Sequence, residues 1–161
     1  MTDVIGYDRV GDIAVLTADN PPVNALSQAV RQGLMDGMDR AEADKGVRAV
    51  VIVGAGRAFF AGADIKEFGK APLEPALPDV IDRIEASPLI VIASMHGVSL
   101  GGGLEVALGC HYRIAVPSAR LGLPEVHLGL IPGAGGTQRL PRRTGVEPAL
   151  GVMTTGRHVK A

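Results

Sequence analysis

An α/β fold is predicted from the alternation of short apolar runs with amphipathic segments along the 161 residues of the chain. Residues 49–53 and 89–93 are apolar at consecutive positions, which is typical of strands that are buried on both faces. Amphipathic segments lie between such runs, and no linker divides the chain into separate domains. At about 150 residues per domain, the length favours one domain over residues 1–161.

The first elements are predicted to be a β-hairpin and a helix. Residues 4–7 and 13–18 are β-rich runs on either side of Gly11-Asp12, a typical tight turn. Residues 20–24 form a loop, because two prolines cannot join a regular strand pair. Ser27 is a good N-cap for the helix that follows. The apolar positions of that helix recur at helical spacing: Val30, Leu34, Met38 and Ala41.

The later elements follow the same alternation. Residues 71–78 contain three prolines and are predicted to be a loop, with a helix at 79–86 after it. Three glycines lead into a short apolar helix at 104–108, and 112–116 is predicted to be a third strand. A further helix is predicted to open at the glycines of 133–136.

Composition excludes several classes of protein. A net charge of −1 and 3% aromatic residues argue against nucleic-acid binding and against attraction to an anionic membrane. Cys110 is the only cysteine, so an internal disulfide is excluded and a reducing compartment is favoured. The apolar runs are far shorter than the roughly 18 residues of a membrane span, and no leader pattern opens the chain. We therefore expect a soluble, cytoplasmic protein.

The chain is unusually apolar for its size. Mean hydropathy is +0.24, and glycine makes up 22 of 161 residues, about twice the usual ~7%. Apolar surface that so short a chain cannot cover predicts a partner subunit or a further C-terminal part. The last 23 residues carry five basic side chains against one acidic side chain, and each is expected to be solvated.

Nucleotide-loop and metal motifs are not present. Gly54-x-Gly56 lacks the third glycine of a dinucleotide fingerprint, because Phe59 stands at that position. The four histidines do not have the spacing of a metal site: His96, His111, His127 and His158. We predict no metal ligand in this chain.

Residues 97–101 spell G-x-S-x-G between an apolar strand and a helix, the context of a hydrolase nucleophile, Ser99. Two pairs could complete a triad: Glu125 with His127, or Glu147 with His158. Glu125 and His127 are two residues apart, so in a strand both would point to one side without bracketing Ser99. A hydrolase fold also needs more chain, so this reading is disfavoured.

Two glycine-rich turns follow the two most apolar strands. Gly101-Gly102-Gly103 at a helix start leaves backbone N–H groups free and accessible, and Gly62-Ala63-Asp64 ends a similar turn. Two such N–H groups that converge on one point form an oxyanion hole. Glu105 and Glu125 both lie in apolar sequence. A buried carboxylate is costly or has a raised pKa, a property that acid–base catalysis uses.

Four segments in this order resemble the enoyl-CoA hydratase/isomerase (crotonase) superfamily, and together they cover essentially the whole chain. They are Asn20-Pro-Pro-Val-Asn-Ala-Leu26, Phe59-Phe-Ala-Gly-Ala-Asp-Ile-Lys-Glu67, Gly97-Val-Ser-Leu-Gly-Gly-Gly-Leu-Glu105, and Leu123-Pro-Glu125 through Ile131-Pro-Gly-Ala-Gly-Gly-Thr-Gln-Arg139. The first is most similar to the hydratase/isomerase region at the front of multifunctional fatty-acid β-oxidation enzymes. Ser99 departs from the family, which often has a small apolar residue there.

The resemblance implies a spiral of β-β-α units with two roughly perpendicular sheets, assembled as trimers or hexamers. It implies C-terminal helices beyond residue 161, so we expect the domain to be truncated. It also assigns the oxyanion-hole amides to Ala63 and Gly102, and the catalytic carboxyls to Glu105 and Glu125. Six further residues are expected to bind substrate: Ala61, Asp64, Ile65, Lys66, Gly101 and Gly133.

The implied activity is the syn addition of water to a trans-2-enoyl-CoA in fatty-acid β-oxidation. Coenzyme A is part of that acyl-CoA thioester substrate, and neither a metal nor a redox cofactor is implied. Lys66 and the basic tail are candidates to contact the phosphates of coenzyme A. Two alternatives stay open. A Δ3,Δ2-enoyl-CoA isomerase can work with one glutamate, and a truncated core could bind acyl-CoA or a partner chain without turnover.

Overall fold

Two β-sheets and five α-helices form the computed structural model, which describes residues 4–161. Residues 1–3 of the predicted domain lie outside the described part. The strands are β1 (Ile5–Val10), β2 (Ile13–Ala18), β3 (Ala49–Gly54), β4 (Ile90–Met95), β5 (Val98–Leu100), β6 (Tyr112–Ala115), β7 (Arg120–Gly122) and β8 (Val159–Lys160). The helices are α1 (Gln28–Ala43), α2 (Leu77–Glu85), α3 (Gly102–Gly109), α4 (Gly136–Thr144) and α5 (Val146–Thr155). Short 3₁₀ helices span Ile65–Glu67 and Pro124–Leu128.

The larger sheet has the order β1-β2-β3-β4-β6, and the smaller one β5-β7-β8. Only the β1–β2 and β7–β8 pairs are antiparallel in the described residues, and the other neighbours are parallel. Parallel neighbours require crossovers, which α1 and α2 supply on either side of β3. The mixed α/β class and the two sheets agree with the prediction.

The predicted hairpin and first helix are confirmed. Gly11 adopts a φ of +64° in the turn between β1 and β2, and β1 extends three residues beyond its predicted end at residue 7. Ser27 caps α1 by accepting a hydrogen bond from the amide of Val30. The four predicted core positions of α1 are fully buried: Val30, Leu34, Met38 and Ala41.

The apolar strands are buried on one face only, so the prediction of burial on both faces was wrong. In β3, Val50 and Ile52 are fully buried, whereas the alternate residues are half-buried. In β4, Ile90 is 49% exposed. In the neighbouring strand β6, Tyr112 is also exposed, so the uncovered face stays apolar at this edge. Consecutive apolar residues therefore do not establish that both faces are covered.

Two predicted boundaries were wrong. Helix α2 begins at Leu77 and has Pro78 in its first turn, where the missing N–H of a proline costs nothing. Pro78 therefore belongs to the helix and not to the predicted loop at 71–78. Helix α3 begins at Gly102, two residues before the predicted start, with Gly101 as its N-cap. Helix α4 begins at Gly136, as the glycine cluster predicted.

The resemblance implied a second sheet, but residue patterns did not predict its strands, because they contain only two or three residues. It bears directly on the site, since β5 ends at Leu100 and passes into the glycines that start α3. The longest helix in residues 4–161 has 16 residues, and none of the described helices is long and apolar enough to cross a bilayer.

Candidate active site

A cavity of about 350 Å3 lies where the two glycine turns meet α2 and the 3₁₀ helix Pro124–Leu128. Its floor contains both predicted carboxyl residues, Glu105 and Glu125. Its walls are largely apolar and include Ile65, Phe68, Leu77, Leu128, Leu130 and Ile131. A mostly apolar cavity with a few polar groups at one end is typical of a small-molecule site.

The first glycine turn exposes one backbone amide. The carbonyl oxygen of Gly62 accepts a hydrogen bond of 2.9 Å from the amide of Leu26. In a trans peptide the next N–H points opposite to that carbonyl, so the amide of Ala63 is directed away from Leu26. Within residues 4–161 this amide has no acceptor, and Ala63 lines the cavity.

The second glycine turn exposes another backbone amide, that of Gly102. The carbonyl oxygen of Gly101 accepts from the amide of Glu105 at 3.0 Å, and the Gly101 amide donates to Gly122 at 2.9 Å. Gly102 is the first residue of α3, so its amide has no partner within the helix, and the described chain offers it no other acceptor. Its N–H also lies at the positive end of the helix dipole.

The two turns are in contact. A β-carbon on Gly102 would lie 3.8 Å from the amide nitrogen of Ala63, and one on Gly101 would lie 3.9 Å from the α-carbon of Gly62. Gly101 itself has a φ of +52°, a conformation that favours glycine. The two free amides therefore belong to separate turns that are in contact beside the cavity.

Glu105 is 2% exposed and is held by two backbone donors. Its Oε1 accepts hydrogen bonds of 2.8 Å from the amides of Ala134 and Gly136. Burial raises the pKa of Glu105 above its ordinary value, while the two amides and the nearby Arg139 act in the opposite direction. Gly136 begins α4, so the carboxylate also faces the N-terminus of that helix.

Glu125 is held more loosely. Its Oε1 lies against Gly101, where a β-carbon would approach it to 3.1 Å. Its Oε2 is buried and has no hydrogen-bond partner in the described structure. Burial raises the pKa of Glu125, and the charge on Glu105 raises it further. An unpartnered carboxyl oxygen favours the protonated form, because a neutral acid is cheaper to bury than a carboxylate.

Four of the six residues predicted to bind substrate line the cavity: Ala61, Ile65, Gly101 and Gly133. Asp64 and Lys66 lie outside its lining. The Asp64 side chain accepts from the amide of Lys66 at 3.0 Å and caps the 3₁₀ helix Ile65–Glu67. Lys66 is exposed beside the cavity. Asp64 thus has a structural task that its position in the motif did not reveal.

The hydrolase triad does not assemble. Ser99 is fully buried and its hydroxyl has no partner in the described residues. Glu125 and His127 lie on a 3₁₀ helix rather than the strand that was assumed, and His127 Nε2 contacts the carbonyl of Thr155 at 3.0 Å. Within residues 4–161 no group of three or more His, Cys, Asp or Glu side chains is placed to hold a metal ion.

The sequence did not predict what surrounds Glu105. Arg139 was expected to be solvated, yet it bonds Asp82 at 2.8 Å and Glu85 at 2.6 Å on α2 and is only 16% exposed at its side chain. The amides of Ala134 and Gly136 were expected at a helix start but not against a carboxylate. The available signal was the glycine cluster at 133–136, since a helix N-terminus attracts an anion.

The sequence profile of the enoyl-CoA hydratase/isomerase family matches residues 8–161. The peroxisomal bifunctional enzyme of Danio rerio is 56% identical over 149 residues, which are 92% of this chain and 21% of that enzyme. A probable enoyl-CoA hydratase of Bacillus subtilis (strain 168) is 49% identical over 151 residues, 89% of this chain and 58% of the relative. The chain thus spans about a fifth and about three fifths of the lengths of these two relatives.

Solved structures agree. The enoyl-CoA hydratase of Bacillus anthracis superposes with a TM-score of 0.90 at 37% identity, covering 98% of this chain and 65% of the other. Pseudomonas aeruginosa DspI superposes with a TM-score of 0.92 at 32% identity, covering 99% and 64%. Similarity over nearly all of the chain establishes that the arrangement of both sheets is that of these proteins.

Proposed function

Since the chain belongs to the enoyl-CoA hydratase/isomerase family, as its motifs predicted, we propose that it adds water across a trans-2-enoyl-CoA to give a 3-hydroxyacyl-CoA. The addition is syn, as a step of fatty-acid β-oxidation. One observation carries the proposal: two carboxyl groups with unlike surroundings face one cavity that also contains two free amides.

The amides act on the thioester oxygen. As water attacks the β-carbon, electrons move through the double bond and the carbonyl, and the oxygen gains negative charge. We propose that the N–H groups of Ala63 and Gly102 stabilise that charge, and the contact between their two turns supports this role. One such donor contributes about 3–4 kcal/mol to the transition state. A backbone N–H cannot lose its proton at working pH and has no rotamer to order, so the site is preorganised.

The carboxyls move two protons. Glu105 takes a proton from the attacking water, since two amides hold its anionic form in place. Glu125 delivers a proton to the α-carbon, since its unpartnered oxygen favours the protonated form. After one turnover Glu105 carries the extra proton and Glu125 has lost one, and exchange with solvent restores both. The step is redox-neutral, and coenzyme A is part of the substrate.

Two glutamine variants test the proposal on the 161-residue chain. Glu105→Gln and Glu125→Gln should each lower kcat for hydration of a short trans-2-enoyl-CoA by about 10²–10⁴-fold, the usual contribution of a general acid or base. Loss of the enoyl absorbance measures the rate. Glu147→Gln, an exposed position on α5, is the matched control and should be unaffected.

Three outcomes would contradict the assignment. Hydration retained in either glutamine variant would remove that residue from the mechanism. Conversion of a 3-enoyl-CoA without hydration of a 2-enoyl-CoA would identify the isomerase alternative. Binding of acyl-CoA with no turnover would identify the non-catalytic module.

The assembly and the compartment also stay predictions. The exposed apolar edge at Ile90 and Tyr112 supports the expected trimer or hexamer. Cys110 is buried and unpaired, which supports a reducing compartment. The similarity to a peroxisomal enzyme leaves the cytoplasm as one of two candidate compartments. Sizing by light scattering tests the predicted assembly, and localisation of the tagged protein in cells tests the predicted compartment.

A further inference from the structure

We propose that Arg139 is a positioning residue for Glu105, acting through the loop at 133–136. The proposal rests on the proposed function for its effect on turnover. Its structural part, that one arginine fixes the donors of the Glu105 carboxylate, stands independently. Sequence patterns assigned this residue no role at the carboxyls, because an arginine in a basic segment is usually solvated.

A single residue joins Arg139 to Glu105. The amide of Ala134 donates to Glu105 Oε1 at 2.8 Å, and the carbonyl oxygen of Ala134 accepts from Arg139 Nη1 at 3.1 Å. Both bonds fix the orientation of the backbone at Ala134, so a shift of the guanidinium moves the donor that faces the carboxylate. Gly136 supplies the second donor at 2.8 Å, two residues further along.

The loop is shaped to admit the guanidinium. Gly135, between the two donors, has a φ of +95°, which a residue with a side chain rarely adopts. A β-carbon at Gly135 would overlap Arg139 Nη1. Gly135 therefore allows the loop to direct its amides toward Glu105. It also leaves room for the Arg139 guanidinium to pack against the loop.

Helix α2 fixes the arginine from the other side. Arg139 Nη2 donates to Asp82 at 2.8 Å and to Glu85 at 2.6 Å, and Nε donates to Glu85 at 3.2 Å. The Arg139 side chain is 16% exposed, whereas those of Asp82 and Glu85 are 71% and 52% exposed. Such exposed carboxylates add little stability, but together they leave a planar guanidinium one orientation.

Two titratable side chains lie near Glu105 in the described structure. Arg139 on α4 favours the Glu105 carboxylate, and Glu125 on the 3₁₀ helix is the carboxyl whose pKa the charge on Glu105 raises. Loss of Arg139 therefore acts on Glu105 twice, by removing a positive charge and by releasing the loop that carries its donors. Both effects raise the pKa of Glu105.

Carboxyl titration by NMR on ¹³C-glutamate-labelled chain tests the proposal. In Arg139→Gln the midpoint of Glu105 should move to higher pH. Hydrogen exchange at Ala134 and Gly136 should be at least about tenfold faster, with amides of β3 unchanged. Arg142→Gln is the matched control, because Arg142 lies on the same helix and its side chain bonds only Gln138 among the residues that the structure describes. It should leave both readouts at the wild-type values.

Arg139→Lys covers the case in which Arg139→Gln does not fold. An ammonium keeps the charge but cannot span Ala134 and both carboxylates, so exchange at Ala134 should still accelerate while the Glu105 midpoint moves less. An unchanged midpoint and unchanged exchange in folded Arg139→Gln, or unchanged exchange in Arg139→Lys, would overturn the proposal. Neither readout needs turnover, so a chain that does not hydrate enoyl-CoA would count against the proposed function alone.

Discussion

Glu105 and Glu125 face the same cavity from regions that differ in construction. Glu105 lies where α3 and α4 meet, is 2% exposed, and receives two amide hydrogen bonds. Glu125 lies on a single turn of 3₁₀ helix and buries one oxygen with no partner. Burial raises the pKa of both carboxyls. At Glu105 two loop amides and Arg139 oppose the rise, whereas at Glu125 only its own backbone amide opposes it in the described residues, and the charge on Glu105 adds to it.

The difference in hydrogen-bond donors explains how one site can contain both a base and an acid. Two buried carboxyls cannot both ionise cheaply, so the shared proton goes to the one whose charged form is less supported. The structure supports the charge at Glu105, whereas Glu125 Oε2 has no hydrogen-bond partner in residues 4–161. The two groups titrate as a pair, so hydration should show a bell-shaped pH profile whose limits belong to both.

The walls differ in the same way. Around Glu105 the neighbours Leu104, Val106 and Leu123 are buried, so the carboxylate has a rigid setting. On the Glu125 side Leu128 and Ile131 are 62% and 78% exposed. The polar end of the site is thus formed by closely packed residues around Glu105. The apolar end is formed by residues 128–131, much of whose surface is exposed to solvent.

Among substitutions that keep both carboxyls, the largest effect should come from displacing Glu105. A β-carbon on Gly136 would lie 2.9 Å from Glu105 Oε1 and 3.1 Å from its Cγ, so Gly136→Ala must move the carboxylate. A displacement near 1 Å costs about 10²-fold in rate, and kcat for hydration should fall by that factor with KM nearly constant. Steady-state kinetics on trans-2-enoyl-CoA measure the split.

Gly6→Ala is the control for this experiment. Its β-carbon would meet only ordinary contacts of 3.8 Å and longer, in a strand away from the cavity, so activity should be unchanged. A Gly136→Ala enzyme with normal kcat would show that the two-amide clamp on Glu105 is not what distinguishes the two carboxyls.

A smaller effect should appear in stability when the charge is removed from Glu125. Its folded-state pKa lies above the ordinary value of 4.5, so the protein loses stability as pH rises through that raised pKa. Glu125→Gln keeps the shape but has no charge to desolvate. It should gain about 1–2 kcal/mol, or roughly 2–8 °C in Tm, above the transition and little below it.

Thermal unfolding at a series of pH values checks this, with Glu147→Gln on the exposed face of α5 as the control. A gain of equal size at every pH would mean that packing, and not ionisation, explains it. A gain confined to low pH would contradict the sign of the raised pKa.

Local patterns predicted the elements that are long enough to carry a period. The face of α1, the hairpin at Gly11 and the capping by Ser27 all follow from neighbouring residues and are confirmed. Strands β5 and β7 have only three residues each, and tertiary pairing rather than local propensity determines them. Short-range signals could not have predicted the smaller sheet.

The same division holds at the site. Glu105 and Glu125 could be predicted because a charge within apolar sequence stands out. The role of Arg139 could not, because its partners Asp82 and Glu85 lie 57 and 54 residues away. An arginine in a basic tail has the sequence pattern of a solvated side chain, and only its ion pairs with Asp82 and Glu85 on α2 show otherwise.

The smallest expected effect is on the stability of Ser99→Ala. This variant tests whether a buried oxygen without a partner is costly when it has no catalytic role. Ser99 on β5 is fully buried and its hydroxyl has no partner, as is true of Glu125 Oε2. Ser99→Ala should gain about 0.5–1 kcal/mol, because an unsatisfied hydroxyl costs more than the small void it leaves. Its kcat should be unchanged, since Ser99 does not line the cavity, whereas Glu125→Gln gains stability and loses turnover.

Urea unfolding of Ser99→Ala beside Ser118→Ala, an exposed serine, measures the difference in the free energy of unfolding. A destabilised Ser99→Ala would show that the hydroxyl contributes to packing, and that a missing partner alone does not mark a strained group.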